Sequence, residues 1–423
     1  MIMKGFFTMK TKRTVALILA AVMAAASLAS CNKNLIGDTQ NPAGDTQTGD
    51  SGNKSGDTKT PSVEGALTLE EISKQIEAKV GKQDVDSKVV MTLDGYDVTY
   101  SEFRYYYINY VKQFANYYGA DFNTNDEYKA DFDKYVNEAL KMNGLVANTA
   151  KEYGLALTQE EFDNNVLATY DKITEQFKSD DSDDNSEAVR VLDETYAITP
   201  YYMIMNESIY NLYNKIYEAF YGVGGTKFED IKKQTLDYYN ENGYMRAKHV
   251  LIKFPTNEDG SEVTEEQKAE TKKKAEEVLE KAKNGEDFDK LIEEYNEDPG
   301  MSTYTNGYYF GDGEMVEPFE NATKALEENG ISEIVETTYG YHIIKRLPLD
   351  DENIVSADKF SELAYAELDN FFTEKIASTE FVKKDDFDEA VKPVLDEGET
   401  YLADLLLQQQ AAGSDTGDET DAE

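Results

Sequence analysis

Cysteine occurs once in the 423 residues and histidine twice, and 42 lysines and arginines face 84 aspartates and glutamates. Each shortage excludes something. A lone Cys31 cannot form an intramolecular disulfide. Two histidines, His249 and His342, do not specify the usual three-ligand zinc set, so neither a metal nor a cofactor is expected. A net charge of −42 argues against nucleic acid, whose phosphates need Lys and Arg partners. It also disfavours direct adhesion to anionic lipid. Such a polyanion attracts basic unfolded chains or divalent cations, or it simply keeps the protein soluble. Beyond residue 30 there is no long apolar run, so no spanning helix is expected.

What is present begins with a leader. Lys4, Lys10, Lys12 and Arg13 form a basic stretch without an acidic residue, and Val15–Ala29 is a short Ala- and Leu-rich run. This is the pattern of a secretory signal, residues 1–30. It ends Leu28-Ala29-Ser30-Cys31, which resembles a bacterial lipobox, so Cys31 is the expected lipidation site. Cleavage there removes four basic residues and takes the net charge from −42 to −46. Residues 31–65 are rich in Gly, Ser, Thr, Asp and Asn and cannot bury enough surface to offset ordering entropy. They read as a flexible tether.

Folded structure is expected from residue 66. A helix over Thr68–Lys79 precedes a strand, Val89–Leu93, the turn pair Asp94-Gly95 and a short return strand, Tyr96–Val98. Thr99 with Glu102, and Thr158 with Glu161, have capping-box spacing and open further helices. A long helix is expected from about Asp126 to Tyr153. Ser179–Ser186 is an acidic break, followed by helices over Glu187–Thr195 and Pro200–Phe220. The last carries an aromatic stripe, including Tyr202, Tyr213 and Phe220, that is either core or a groove for extended peptides. A connecting helix, Asp230–Asn242, leads to the histidines. Beyond them, Ser356–Ser378 is amphipathic with little of its own to pack on, and Leu395–Gln410 is helical. Residues 354–410 are therefore expected to return to the helices of 66–242. Phe381–Val391 gives no clear signal, and 411–423 is an acidic tail.

The segment 245–349 has its own order. Strand Arg246–Phe254 holds His249. Helices follow at Glu265–Lys283 and Phe288–Tyr295, then a short strand at Asn306–Phe310 and a helix at Pro318–Leu326. Strands Ile334–Thr337 and His342–Leu347 close it. Two scarce imidazoles in apolar runs are either polar residues tolerated in strands or parts of one site.

The motifs Ala247-Lys-His-Val-Leu-Ile252, Asn284-Gly-Glu-Asp-Phe288, Tyr295-Asn-Glu-Asp-Pro-Gly300, Gly313-Glu-Met-Val-Glu-Pro-Phe319 and Ile331–Ile344 resemble, in order and spacing, a parvulin-type peptidyl-prolyl isomerase domain. With the lipobox and helical flanks, the chain resembles the PrsA-type extracytoplasmic foldases. The resemblance implies an α+β fold: a four-stranded antiparallel sheet with surrounding helices, inserted in a mainly α-helical chaperone domain. It implies His249, Asp298, Thr337 and His342 around the rotating amide, the imidazoles facing each other and linked through hydroxyls such as Thr337. Met315 and Phe319 would form the proline-ring pocket, with Tyr309 as a further wall, and Tyr339, at a position where other members vary, is also expected to bind substrate. From the residues alone, Met315 and Phe319 read equally well as core, and Asp298 as a turn residue.

The implied partners are unfolded or partly folded secreted proteins with Xaa-Pro bonds, a membrane reached through the lipid anchor, and a second copy through the helical domain. One motif departs from the family. The usual Gly-Gly-Asp-Leu-Gly turn is Asn306-Gly-Tyr-Tyr-Phe310 here, with one glycine of the pair. The loop after the first strand carries Glu258, Asp259 and Glu262, so no phosphopeptide preference is expected. A non-catalytic holdase is the competing reading. A solute-binding lipoprotein is a weaker one, opposed by the motif order.

Overall fold

The computed structural model describes residues 65–178, 185–256, 262–350 and 353–414. The leader, Cys31, most of the tether and of the acidic break, Glu258, Asp259 and the end of the acidic tail lie outside the described residues. Chain contacts divide the protein into two units. One takes the segments up to Ala219 and from Glu367 onward, and the other is Phe220–Ala366.

In the first unit, strand β1 (Val89–Leu93) turns through Asp94 and Gly95 into β2 (Tyr96–Thr99). The Thr99 hydroxyl accepts from Glu102 N–H and starts helix α1 (Tyr100–Tyr118). Helix α2 (Asp126–Glu152) packs against α1, and helix α3 (Pro200–Tyr221) follows. The aromatic stripe of α3 goes inward: Tyr202, Tyr213 and Phe220 are buried. The groove alternative for that stripe is thereby lost.

A polar cluster sits inside this apolar unit. Glu102 is 2% exposed. Its carboxyl receives Tyr96 O–H at 3.1 Å and Asn143 Nδ2–H at 3.1 Å. Burial pushes the Glu102 carboxyl up to about 8, against these hydrogen bonds.

The second unit begins with α4 (Phe228–Glu241) and continues into β3 (Met245–Lys253). Then come α5 (Glu265–Lys283), α6 (Phe288–Tyr295), β4 (Tyr308–Phe310), α7 (Glu317–Lys324), β5 (Val335–Glu336) and β6 (Gly340–Leu347). The sheet is antiparallel with order β4-β3-β6-β5. Side chains alternate across it. Val250, Ile252, Tyr341 and Ile343 pack with Ala275, Val278 and Leu279 of α5 and with Phe288 and Leu291 of α6. Met245, Ala247 and Ile344 face the other way and pack with Phe310 and with Phe319 of α7.

The chain then forms α8 (Asp358–Ser378), β7 (Val382–Lys383) and α9 (Phe387–Ser414). Strand β7 pairs with β1, and α9 packs on α1. Arg104 of α1 makes a fork to Glu397 at 2.8 and 2.9 Å and also reaches Asp193 at 2.6 Å. A Cβ on Gly398 would come within 2.9 Å of Tyr107, so glycine lets the two helices approach there. Helix α9 begins eight residues earlier than the pattern from Leu395 indicates and runs through Pro393. Proline removes one donor, and packing along the rest of the helix outweighs that loss. Among the described residues, no helix is long and apolar enough to cross a membrane.

Candidate active site

The two imidazoles meet because of strand register. His249 lies opposite Ile344, and His342 lies opposite Leu251. They are therefore diagonal neighbours on one face of the β3–β6 pair, within reach of each other. Their Nδ1 atoms are 2.9 Å apart, and the rings stack at 5.0 Å with a 16° interplanar angle. Both residues are buried. Phe319 of α7 meets both rings edge-on, with centroids at 5.2 and 5.5 Å.

Asp298 enters from the loop after α6. Asn296 secures that loop: its Oδ1 accepts from Leu251 N–H at 2.9 Å and from Asp298 N–H at 3.2 Å. Its Nδ2 donates to Asp298 O at 2.7 Å. Glu297 N–H adds a bond to Leu251 O. Asp298 Oδ2 then lies 2.8 Å from His249 Nε2 and 2.8 Å from the Tyr308 hydroxyl, while Oδ1 accepts from Gly300 N–H at 3.1 Å.

On the other side, Thr337 Oγ1 is 2.8 Å from His342 Nε2. Thr337 lies in the β5–β6 turn, where its hydroxyl also accepts from Tyr339 N–H at 3.1 Å. Gly340 lets that turn lie on β3, since a Cβ there would be 2.1 Å from Ile252 O.

These contacts determine the proton arrangement. Burial lowers the His249 imidazole despite Asp298, and burial together with His249 takes His342 down to about 3. Both rings are neutral near pH 7. Burial raises the Asp298 carboxyl, but hydrogen bonds from His249, Tyr308 and Gly300 outweigh it and leave the group below its usual range. Burial and Asp298 raise the Tyr308 phenol, so it stays a donor. An ionised carboxylate only accepts, so His249 carries its proton on Nε2 and accepts on Nδ1. His342 then donates from Nδ1 and accepts the Thr337 O–H on Nε2. The line from Tyr308 to Thr337 is satisfied throughout.

Of the residues singled out in the sequence, His249, Asp298, Thr337, His342 and Phe319 come together. The imidazoles bond directly rather than through a hydroxyl, and Thr337 caps one end. Met315 is half-buried and packs on the same cluster as Phe319. Tyr339 is exposed, at the edge of a groove lined by Phe254, Pro255, Val263, Pro318 and Thr337. Tyr309 is not at the site. It stacks on Tyr239 at 5.3 Å, and its hydroxyl donates to Asn353 O at 3.1 Å.

Strand alternation gives the place beside His249 to Tyr308, the neighbour that sequence reasoning passed over. Asn296 was missed too, although the Asn-Glu-Asp-Pro-Gly run carries it. The retained Gly307 has φ +96 and would place a Cβ 3.0 Å from Ala247 O, so this glycine is the one the turn requires. Among the described residues, no group of three His, Cys, Asp or Glu is arranged to hold a metal ion.

Comparison with known proteins gives sequence matches to two domain families. Residues 226–347 match the profile of the PPIC-type PPIASE domain, and residues 75–192 that of the SurA-like N-terminal domain. The protein is similar to the foldase protein PrsA of Geobacillus sp. (strain WCH70), 39% identical over 122 residues, covering 28% of this chain and 38% of the relative. It is 33% identical over 188 residues to the foldase protein PrsA of Halalkalibacterium halodurans, covering 43% of this chain and 49% of that protein. The chain thus spans less than half the length of these curated relatives. The crystal structure of PrsA from Bacillus subtilis is 22% identical and covers 69% of this chain and 92% of its own, with a TM-score of 0.29. The assignment rests on the sequence matches. Residues 226–347 are a PPIC-type peptidyl-prolyl isomerase domain of the parvulin type, which the chain carries together with a SurA-like N-terminal domain.

Proposed function

We propose that the protein is a peptidyl-prolyl cis-trans isomerase that assists the folding of secreted proteins outside the cytoplasm, held to the cell membrane through a lipid on Cys31. The observation that carries the catalytic reading is the continuous hydrogen-bonded line Tyr308–Asp298–His249–His342–Thr337 beside Phe319. Rotation about an Xaa-Pro amide needs no bond cleavage. Its barrier of about 18–20 kcal/mol comes from lost C–N double-bond character. Twisting reduces the charge separation of the amide, so a site that grips the proline ring and withdraws the amide from water favours the twisted form. Buried neutral imidazoles provide polarity there without a strongly hydrated charge. Met315 and Phe319 hold the ring, Tyr339 contacts the flanking client segment, and Asp298 and Thr337 fix the two imidazoles.

A protease-coupled assay on short Ala-Pro peptides tests this reading. The parent is expected to accelerate exchange, and a folded His249→Ala, His342→Ala variant to lose most of that rate. If parent and variant are equally active, the site is wrong. An inactive parent that still suppresses aggregation of unfolded clients favours the holdase reading. Metabolic labelling with a fatty-acid analogue tests the anchor, and a Cys31→Ser chain that still labels excludes it.

A further inference from the structure

We propose that Tyr308 is a positioning residue of this site, its hydroxyl holding the Asp298 carboxylate on His249 through a space that Gly300 leaves open. The inference deepens the isomerase reading and rests on it. Tyr308 sits at the start of β4, in the motif where the sequence departs from the family's glycine pattern. Strand alternation turns its ring to the imidazole side, at 5.9 Å and 73° to His249. Its phenol reaches Asp298 Oδ2 at 2.8 Å, the same oxygen that receives His249 Nε2–H. One carboxylate oxygen thus serves both donors, and a shift of the phenol or the imidazole away from Asp298 gives up that bond.

The place for that phenol is made by an absence. A Cβ built on Gly300 would lie 1.9 Å from the Tyr308 hydroxyl and 3.1 Å from the ring carbon that bears it. Gly300 has no positive φ, so its backbone does not itself demand glycine. The need is for space. Gly300 also donates its N–H to Asp298 Oδ1 at 3.1 Å. The two residues therefore hold the carboxylate from both oxygens and fit only as a pair. The titratable groups facing Asp298 are His249 and Tyr308 directly, His342 behind His249, and Tyr304, whose ring lies 5.1 Å from that of Tyr308. With the Tyr308 bond gone, the ionised carboxylate loses one of three donors and its protonation midpoint rises. A protonated Asp298 no longer fixes the proton of His249 on Nε2.

The test uses the full chain and three variants: Tyr308→Phe, Gly300→Ala and the double variant. Asp298 is followed by carboxyl 13C NMR against pH, the histidine tautomers by 15N shifts, and exchange of an Ala-Pro peptide gives the rate. In Tyr308→Phe the Asp298 midpoint is expected to rise, and kcat to fall about tenfold with little change in KM. Gly300→Ala should show the same pair of effects, because its methyl displaces the hydroxyl. In the double variant the loss should be close to that of Tyr308→Phe alone, since the clash is largely removed with the hydroxyl. An unmoved Asp298 midpoint in a folded Tyr308→Phe protein overturns the proposal, as do losses that multiply in the double variant. A parent without isomerase activity overturns the isomerase reading alone, and the Asp298 titration still decides whether Tyr308 holds the carboxylate.

Discussion

Acidification from pH 7.5 to 5 should weaken the sheet around the two imidazoles, and the size of the effect follows from His342. In the unfolded chain this imidazole titrates near 6.5, and burial beside His249 lowers it to about 3 in the fold. Between those values the unfolded chain binds the extra proton and the fold does not. The stabilisation is therefore complete above 6.5 and is lost as pH falls toward 3. At pH 5 the difference amounts to about 2 kcal/mol from His342 alone, at about 1.4 kcal/mol per pH unit. His249, also lowered, adds to it with the same sign. The shifted carboxyls of this unit, Asp287, Asp298 and Glu320, all move down, so their own losses fall at lower pH.

Hydrogen exchange of the Met245–Lys253 peptide, corrected for the intrinsic pH dependence, reads the opening free energy of that sheet. The parent should lose about 2 kcal/mol or more between pH 7.5 and 5. His342→Gln, which keeps hydrogen-bonding capacity without the proton, should lose less than half as much. A parent with no pH slope, or a variant that retains the whole slope, refutes the neutral buried pair.

Phe319→Ala should destabilise the same unit by about 3–4 kcal/mol, because the ring is 3% exposed and packs on both imidazoles; a loss below about 1 kcal/mol in the same exchange experiment would contradict that packing. Thr337→Val leaves the buried His342 Nε2 without its donor, so a cost of about 1–2 kcal/mol and a displaced Nε2 15N resonance are expected. Glu102 has the opposite pH sense from His342. Its folded value of about 8 lies above the unfolded 4.5, so its contribution is present below 4.5 and lost as pH rises through 8. After correction for the intrinsic pH dependence, exchange of the Tyr100–Tyr118 peptide should therefore speed up as pH rises toward 8 in the parent and show no such trend in Glu102→Gln.

Features written in a few neighbouring residues were legible in the sequence. Thr158 with Glu161 closes the capping box that its spacing announced, whereas at Thr99 only half of the box forms: its hydroxyl accepts from Glu102 N–H, and the Glu102 carboxyl turns to Tyr96 and Asn143 instead. His249 and His342 stood out by scarcity and by the apolar runs around them. Features that depend on distant partners were not legible. Strand β4 has three residues, too few to phase an alternation, so nothing local told Tyr308 from Tyr309. Strand β7 is two exposed residues that gain their conformation by pairing with β1, far earlier in the chain. Helix α9 runs through Pro393 because of what it packs on, and local propensity reads that proline as a break. Gly300 makes room for Tyr308 only because the fold brings the two together, and neither residue's neighbours in the sequence carry that information.

The pairing of β3 with β6 also sets a time. His249 and His342 are 93 positions apart, and nothing holds them together until those strands join. That join closes a long loop, so its ordering entropy comes due before most of the contacts that offset it. A ribosome that has released residue 300 has delivered one imidazole, its carboxylate and half of a β-ladder. The second imidazole arrives some forty residues later, near the end of the unit. A chain emerging from its N-terminus therefore carries the SurA-like segment for an interval before it carries a complete site. Six of its eight prolines, up to Pro318, emerge before His342, so a newly made copy meets those before its two imidazoles can come together.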